Sequence, residues 1–320
     1  FRIGFVPKRR ARPRLPEGLE PVSADPSGEA IENAYIRLEA REDGLIDVYD
    51  KSSGIWYRGL HILEDCGDAG SGWDHVYPER DEVVLSTSPA RGRVGVRIAR
   101  RSALSASLEV RYRLKVPADL TPDRAGRVRK RAVLDVRTEF TLDAGSRRVE
   151  CRTVIQNRAR SHRVRVLFPT GRKAQVWCCD TAFDMVTRRI GLIDTTGWQE
   201  HDREESPIKN FAAVSDERGG LAVLTRGLCE ACVRDDARRT LALTLFRGFE
   251  QRIGGTRTVD SQMLGEVVCE YAIRPFGPNT PAIELFREVE DYIQDAGFCP
   301  HDPGSSRRSA SNRGADAGRG

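Results

Sequence analysis

Apolar and charged side chains alternate with a period of two along most of this chain, from Ala34 to Arg274. Residues 108–116, for example, read LEVRYRLKV, and the same alternation continues over residues 134–142, 149–155 and 267–273. Successive side chains of a β-strand point to opposite faces of its sheet, so each segment predicts a strand with one buried and one solvated face. Such strands are typical of antiparallel sheets.

Turn sequences separate the predicted strands, and no helical pattern interrupts them. Short clusters that contain glycine stand at residues 42–44, 52–54, 143–145, 219–220 and 254–255. Glycine adopts the backbone conformations of tight turns at little cost. About a dozen strands or more without intervening helices favour an all-β fold, a large antiparallel β-sandwich with room for a third layer.

Helical spacing occurs only near the carboxyl end, at residues 281–296, where Pro281 suits a first turn and Gly297 suits a stop. The predicted apolar stripe of this helix consists of Ile283, Phe286, Val289 (or Glu290) and Ile293. Residues 1–30 are rich in proline and arginine and predict a leading arm. Residues 299–320 carry too few apolar side chains for a core and predict a disordered tail. The domain itself is therefore expected to span residues 31–298.

Charge and composition exclude several classes of protein. The 52 basic and 47 acidic side chains leave a net charge of only +5, and much of the basic charge lies among acids on predicted strand faces. We therefore expect no nucleic-acid partner, and we interpret the basic run at 123–131, which has no interleaved aromatic residues, as a solvated loop. No apolar run approaches the roughly 20 residues that cross a bilayer, so no membrane partner is expected.

The eight cysteines are too sparse for a disulfide scaffold, which favours reduced thiols and a cytoplasmic protein. Cys229 and Cys232 form a Cys-x-x-Cys pair, but no second pair or suitably spaced histidines accompany it. Core or edge cysteines are the favoured interpretation. The chain begins with Phe1 and not methionine, so we expect a fragment of a longer protein.

Several segments in a fixed order resemble the C-terminal β domain of glycoside hydrolase family 38, the retaining zinc-dependent α-mannosidases. The resemblance runs from about Asn33 to about Pro275. The segments that carry it are IENAYIRLEAREDGLIDVYDKSSG at 31–54, HILEDCGDAGSGWDH at 61–75, VPADLTPDRAGR at 116–127, TLDAGSRRVECRTVIQN at 141–157, SHRVRVLFPTG at 161–171, CDTAFDMVTRR at 179–189 and NFAAVSDERGGLAVLTRGL at 210–228.

The resemblance implies a galactose mutarotase-like supersandwich that packs against an N-terminal catalytic barrel and helps to wall a mannose pocket. It also implies that the nucleophile and the zinc ligands belong to that barrel. None of the five histidines begins the His-x-Asp pair that the family uses for zinc. We therefore expect no catalytic residue and no metal ligand in this chain, with carbohydrate and the N-terminal catalytic domain as its partners.

Three residues match positions at which the family approaches the sugar. The acidic, glycine-rich loop carries Asp68, whose carboxylate could accept hydrogen bonds from hydroxyls, and Trp73, which stands where the family usually has tyrosine. Arg226, in LTRGL, matches an arginine near the mouth of the active site. Structural alternatives stay open: Trp73 could close a β loop, and Arg226 could pair within the sheet with Asp235 or Asp236.

Two further motifs favour structural roles. Asp180 and Asp184 flank Phe183 and favour strand or turn capping over paired catalytic acids. The histidine and arginines of SHRVRVLFPT are expected to serve a strand edge, with Val164, Val166 and Phe168 toward the core. The leading function is thus a mannosidase β domain that does not hydrolyse mannosides alone. The alternatives are a free-standing carbohydrate-binding sandwich and an interaction module.

Overall fold

The structure, a computed structural model, describes residues 15–199, 202–250 and 258–294. The predicted tail at 299–320 and the first fourteen residues of the predicted arm lie outside these ranges, as do His201, His301 and the glycines at 254–255. Within the described ranges, no helix has the length and apolar content needed to span a membrane.

The described residues form twenty strands, one 3-10 helix (Val259–Gln262) and one α-helix, α1 (Ala282–Ile293). The strands in chain order are β1 (Ser23–Ala24), β2 (Ala30–Glu32), β3 (Ile36–Ala40), β4 (Ile46–Asp50), β5 (Ile55–Leu60), β6 (Ile62–Gly67), β7 (Val84–Leu85), β8 (Gly95–Arg101), β9 (Ser105–Pro117), β10 (Arg131–Asp143), β11 (Val149–Asn157), β12 (His162–Pro169), β13 (Val176–Asp180), β14 (Met185–Arg189), β15 (Ser206–Pro207), β16 (Phe211–Asp216), β17 (Gly219–Thr225), β18 (Glu230–Val233), β19 (Thr240–Gly248) and β20 (Gly265–Phe276).

These strands build three antiparallel sheets, which confirms the all-β sandwich that the alternation predicts. The first sheet has the order β1-β2-β3-β4-β5, and the second, with nine strands, has the order β14-β13-β16-β17-β20-β11-β10-β9-β8. The third sheet has the order β15-β18-β19-β12-β6-β7. Strand β1 lies within the segment predicted as an arm, so the first sheet begins before residue 31.

One hydrophobic core joins all three sheets. Its members include Leu38 from the first sheet, Leu108 and Phe140 from the second, and Val166 and Leu243 from the third. Leu108 and Phe140 stand directly opposite each other in the β9–β10 register, with charged neighbours on the other face. The period of two therefore determines which side chains are buried, because every second residue faces the core.

Helix α1 forms as predicted, but it buries a different stripe. Leu285, Val289 and Tyr292 pack on the nine-stranded sheet, while Ile283 and Ile293 are 56% and 38% exposed. The predicted stripe is therefore confirmed at Phe286 and Val289 and wrong at Ile283 and Ile293. Leu285, Val289 and Tyr292 also lie at helical spacing, and they are the side chains that meet the apolar strip on β16, β17 and β20.

Strand β12 is an interior strand, so the expectation of a strand edge for SHRVRVLFPT is wrong. It pairs with β19 on one side and β6 on the other, and all of its residues are buried. Val164, Val166 and Phe168 do face the main core, as expected. The other face of β12 carries buried arginines, which the neighbouring loops cover.

A buried polar cluster at the start of β12 also corrects the interpretation of the basic run at 123–131. His162 Nδ1 lies 2.5 Å from Asp65 Oδ2, and Arg127 Nη2 lies 2.6 Å from Asp65 Oδ1. The side chain of Arg127 is only 1% exposed, so this arginine is not solvated. Asp123, four residues earlier in the same run, is exposed. A buried carboxylate requires such partners, because an uncompensated charge in the interior is costly.

The docking of α1 can be tested by two substitutions on the same helix. We expect Leu285→Ala to lower the free energy of unfolding by about 2–5 kcal/mol, because it removes a buried side chain and leaves a cavity. Ile283→Ala, on the exposed face, should change it by less than about 0.5 kcal/mol. Urea unfolding measures both values, and equal losses would contradict the observed stripe.

Candidate functional site

The loop after β6 carries two of the three predicted site residues, Asp68 and Trp73. Asp68 is completely buried; its Oδ2 accepts a hydrogen bond from Arg247 Nε at 2.8 Å, and its Oδ1 accepts one from Gly70 N at 2.9 Å. Both carboxylate oxygens are therefore engaged in holding the loop. Gly70 must remain a glycine here, because an added Cβ would lie 1.9 Å from the Asp74 carbonyl oxygen.

Trp73 presents its ring to solvent. The side chain is 72% exposed, and the backbone N–H donates to Ser71 Oγ at 3.2 Å. The neighbouring Asp74 forms an ion pair with Arg203, which belongs to a second loop. An exposed indole on an anchored loop offers a flat apolar surface of the kind that sugar C–H groups contact.

Beneath this loop, the outer face of β12 carries two buried guanidinium groups. The side chains of Arg163 and Arg165 are 0% and 1% exposed. Each donates to the hydroxyl oxygen of Tyr77, at 2.8 Å and 3.0 Å respectively. Tyr77 thereby links the acidic loop to the middle of the third sheet.

Two carboxylates balance these guanidinium groups. Glu205 Oε1 accepts hydrogen bonds from both Arg163 and Arg165, the latter at 2.9 Å. Glu64 accepts one from Arg165 Nε at 2.9 Å and is also paired with Arg234. Burial raises the pKa of both carboxyl groups, but the neighbouring arginine charges and hydrogen bonds outweigh it, so both pKa values lie below the ordinary value.

These contacts join two loops into one surface, residues 68–83 and 202–207, which we call the loop pair. Tyr77 attaches the first loop and Glu205 the second to the same arginines, and Asp74 pairs with Arg203 between the loops. The position of Trp73 therefore depends on charges that lie beneath it. Because those charges are buried, movement of either loop would expose or separate them.

His75 supports the same loop as a neutral imidazole. Burial, followed by the charge of Arg163, lowers its pKa to about 4. Its Nε2 lies 2.9 Å from the Gly67 carbonyl oxygen, and its ring contacts Tyr77 edge-on with centroids 4.4 Å apart. These are structural contacts, as expected for the histidines of this chain.

Arg226, the third predicted residue, lies on a different sheet. Its guanidinium stacks over the Tyr292 ring at 4.5 Å, and its Nε donates to the Tyr292 carbonyl oxygen at 2.8 Å. Its ion-pair partner is Glu270 at 3.5 Å, which confirms an ion pair within the sheet but not the suggested partners Asp235 and Asp236. Arg226 thus attaches the end of α1 to the nine-stranded sheet, and no described contact joins it to Asp68 or Trp73.

The chain was compared with models of known protein families. Residues 31–252 match the model of the glycosyl hydrolases family 38 C-terminal domain. The chain belongs to this family.

Relatives of the family 38 domain are much longer than the chain. A Halalkalibacterium halodurans protein described as a candidate mannosylglycerate hydrolase is 27% identical over 275 residues, which cover 81% of this chain and 30% of that protein. The fold resembles an alpha-mannosidase from Enterococcus faecalis V583, with a TM-score of 0.78 and 23% identity over 85% of this chain and 32% of that one. A second Enterococcus faecalis structure, a protein in glycosyl hydrolase family 38, matches with a TM-score of 0.76 and 22% identity. The match covers 85% of this chain and 33% of that one.

Among the residues that the structure describes, one group of side chains has ligand atoms close enough together for a metal ion: Glu204, Glu205 and Cys232. It does not fit zinc. Glu205 already accepts hydrogen bonds from two arginines, and the positive charges of these arginines would repel a cation. Burial raises the pKa of the Cys232 thiol to about 12, which opposes the thiolate that zinc requires. Its Cys-x-x-Cys partner Cys229 is exposed, so the two thiols lie in different environments.

The residues that hold the loop pair are not among the predicted site residues. Arg163 and Arg165 alternate with core-facing valines, and this pattern is also typical of a strand with one wet face. Glu64, the partner of Arg165, lies in the segment HILEDCGDAGSGWDH, which the resemblance identifies as an acidic loop, so it was not expected on a neighbouring strand. Asp180 behaves as expected: its Oδ1 accepts from the backbone N–H groups of Asn210 and Phe211 at 2.7 and 2.8 Å.

The ionic attachment of the loop pair can be tested at Glu205. We expect Glu205→Gln to lower the free energy of unfolding by about 3–5 kcal/mol, because two buried guanidiniums lose their shared carboxylate. Glu204→Gln, at the exposed neighbouring position, is the matched control and should leave it almost unchanged. Denaturant unfolding of both variants measures the difference; similar values would show that Glu205 does not stabilise the fold.

The same carboxylate should make stability depend on pH. A carboxyl group whose pKa is depressed by folding contributes stability above its ordinary pKa of about 4.3, and this contribution is lost as the pH falls through the lower, folded value. Wild-type protein should therefore lose stability on acidification below about pH 4.3 more steeply than Glu205→Gln. Unfolding midpoints across this pH range measure how steeply the stability of each protein falls with pH. If the two proteins lose stability equally, the depressed pKa is contradicted.

Proposed function

We propose that this chain is the C-terminal β domain of an α-mannoside hydrolase, in which it supports an N-terminal catalytic domain and contributes one wall of the sugar pocket. The observation that carries the proposal is the family match over residues 31–252, together with the coverage of only about 30% of the relatives' length. The remaining two thirds of such an enzyme would supply the chemistry.

In the proposed enzyme, the reacting groups lie outside this chain. Retaining glycosidases use two carboxyl groups about 5–5.5 Å apart, one as the nucleophile and one as the acid and base. We assign these groups, and the zinc that holds the sugar, to the catalytic domain. Within the described residues, the three buried or half-buried carboxylates beneath the loop pair, Glu64, Asp68 and Glu205, are each bound to arginines.

The contribution of this chain to the pocket would come from Trp73. Its exposed ring can lie against a pyranose ring, and Asp68 would act through the loop that it anchors rather than by direct contact with a hydroxyl. Arg226 would have a similar supporting role, because its guanidinium already binds the end of α1. Support for the assignment is the match of Asp68 and Trp73 to the acidic loop of the family.

A free-standing carbohydrate-binding domain is the second candidate, favoured by the 72% exposure of Trp73 on an anchored loop. Calorimetric titration of the chain with mannose separates the two functions. A lectin should release heat that Trp73→Ala abolishes. A scaffold that depends on its catalytic domain should release none.

The absence of catalysis in the isolated chain is a direct prediction. With an aryl α-mannoside and added zinc, the purified chain should give no turnover above a heat-denatured sample. Zinc-dependent turnover that survives further purification would overturn the assignment of the reacting groups to another part of the enzyme.

The role of Trp73 can be tested in the complete enzyme. An aromatic contact contributes about 0.5–1.5 kcal/mol, so Trp73→Ala should lower kcat/KM by roughly 2- to 10-fold. Phe183→Ala is the matched control, because Phe183 is a fully exposed aromatic residue on the turn between β13 and β14. Equal effects of the two substitutions would contradict a pocket role for Trp73.

A further inference from the structure

The outer face of the nine-stranded sheet carries a charged surface that none of the predicted site residues belongs to. Helix α1 covers this face only over β16, β17 and β20. Farther along the sheet, over β8 to β11, the side chains of Arg97, Arg111, Arg113 and Arg137 are between 43% and 71% exposed. A groove of about 720 Å³ lies among these strands.

One row of residues crosses five strands at this groove. Gly95, Arg111, Arg137, Val154 and Val268 stand opposite one another in the register of β8, β9, β10, β11 and β20. Two arginines directly opposite each other repel, and here one carboxylate oxygen, Glu109 Oε2, lies near both, at 2.8 Å from Arg111 and 3.8 Å from Arg137. Val154, which is 9% exposed, and Val268, which is 41% exposed, continue the row as apolar residues, and Gly95 leaves the other end of the row open.

The carboxylates near this row are too few for the arginines. Glu109, which is only 2% exposed, lies 2.7 Å from Arg97, contacts Arg111 at 2.8 Å and lies 3.8 Å from Arg137. Three positive charges on one carboxylate leave two uncompensated. The pKa of Glu109 is accordingly low, because these arginines outweigh the effect of its burial, and the carboxylate stays charged.

The other end of the groove is also short of negative charge. Asp135 is shared by Arg113 at 3.1 Å and Arg158 at 2.6 Å. Arg93 lines the groove and makes no ion pair within the described part of the chain. Glu266 also lines the groove and keeps its negative charge, because its partner at 2.7 Å, Gln156, is neutral; three arginines therefore face two acids at this end.

We propose that this surface, the arginine groove (Arg93, Arg111, Arg137, Val154 and Val268), binds an acidic segment of a partner polypeptide. Carboxylates of the segment would lie over the exposed sides of Arg111 and Arg137 and against Arg93, since the guanidinium fork matches the two oxygens of a carboxylate. An aliphatic side chain of the segment would cover Val154 and Val268. An apolar centre beside arginines is the usual composition of a protein interface.

The chemistry of the groove favours a polypeptide over other polyanions. Single-stranded nucleic acids stack their bases on exposed aromatic rings, and the one aromatic residue that lines the groove, Tyr112, is buried. A sulfated polysaccharide would place charge along its whole length, including over the Val154–Val268 strip. A segment with acidic and aliphatic side chains can pair with the arginines of the row and also cover its valines.

The test measures binding of a fluorescein-labelled peptide, Glu-Val-Glu-Glu-Val-Glu, to the full chain by fluorescence anisotropy. We expect saturable binding at low salt that weakens as the ionic strength rises, because screening reduces exposed charge interactions. The double variant Arg111→Gln/Arg137→Gln should weaken binding at least about tenfold, as two charge-assisted contacts are lost. The variant should fold, because Glu109 retains Arg97.

The matched control is Arg41→Gln/Arg58→Gln on the first sheet, which changes the net charge equally at two exposed, singly paired arginines. It should bind the peptide like wild type. Val268→Asn should weaken binding several-fold if the apolar strip takes part. Three results would each overturn the proposal. The two double variants could lose binding equally, the peptide could fail to bind at about 1 mM, or the chain could bind dextran sulfate in preference to the peptide.

Discussion

The structure depends on the burial of two guanidinium groups in the middle of a sheet. Arg163 and Arg165 project from an interior strand away from the hydrophobic core, at a depth where an unpaired charge would be strongly destabilising. Glu64, on the adjacent strand, satisfies part of this requirement. The remainder is supplied by Glu205 and Tyr77, which belong to loops far apart in the chain. The charges therefore dictate where both loops lie.

This requirement links stability to the proposed function. A loop that contacts a sugar must hold its side chains in place without help from regular secondary structure, and the loop pair achieves this through Tyr77, Asp68 and Asp74. Trp73 is left free to contact a ligand because its neighbours make all the anchoring contacts. The arginine groove shows the opposite arrangement: there the guanidiniums are exposed, and their carboxylates are too few to neutralise them.

The candidate site was only partly predictable. Asp68 and Trp73 could be placed in one loop because they are close in sequence, but the burial of Asp68 depends on Arg247, which lies 179 residues away. Arg226 could be identified by its motif, yet its partners are Glu270 and the carbonyl oxygen of Tyr292 on α1. Glu205 was missed altogether, because nothing in its own neighbourhood indicates that it lies over a buried strand.

The amino-acid sequence by itself determined the strands, the core-facing side chains and the existence of α1, because these depend on periodicity along a short stretch of chain. The tertiary structure decided the rest. It made β12 an interior strand and buried its arginines, and it selected Leu285, Val289 and Tyr292 as the packed stripe of α1. The physical reason is that strand order and helix docking are chosen by contacts between distant segments. The same local pattern of alternating charge therefore fits a solvated face and a buried ionic layer equally well.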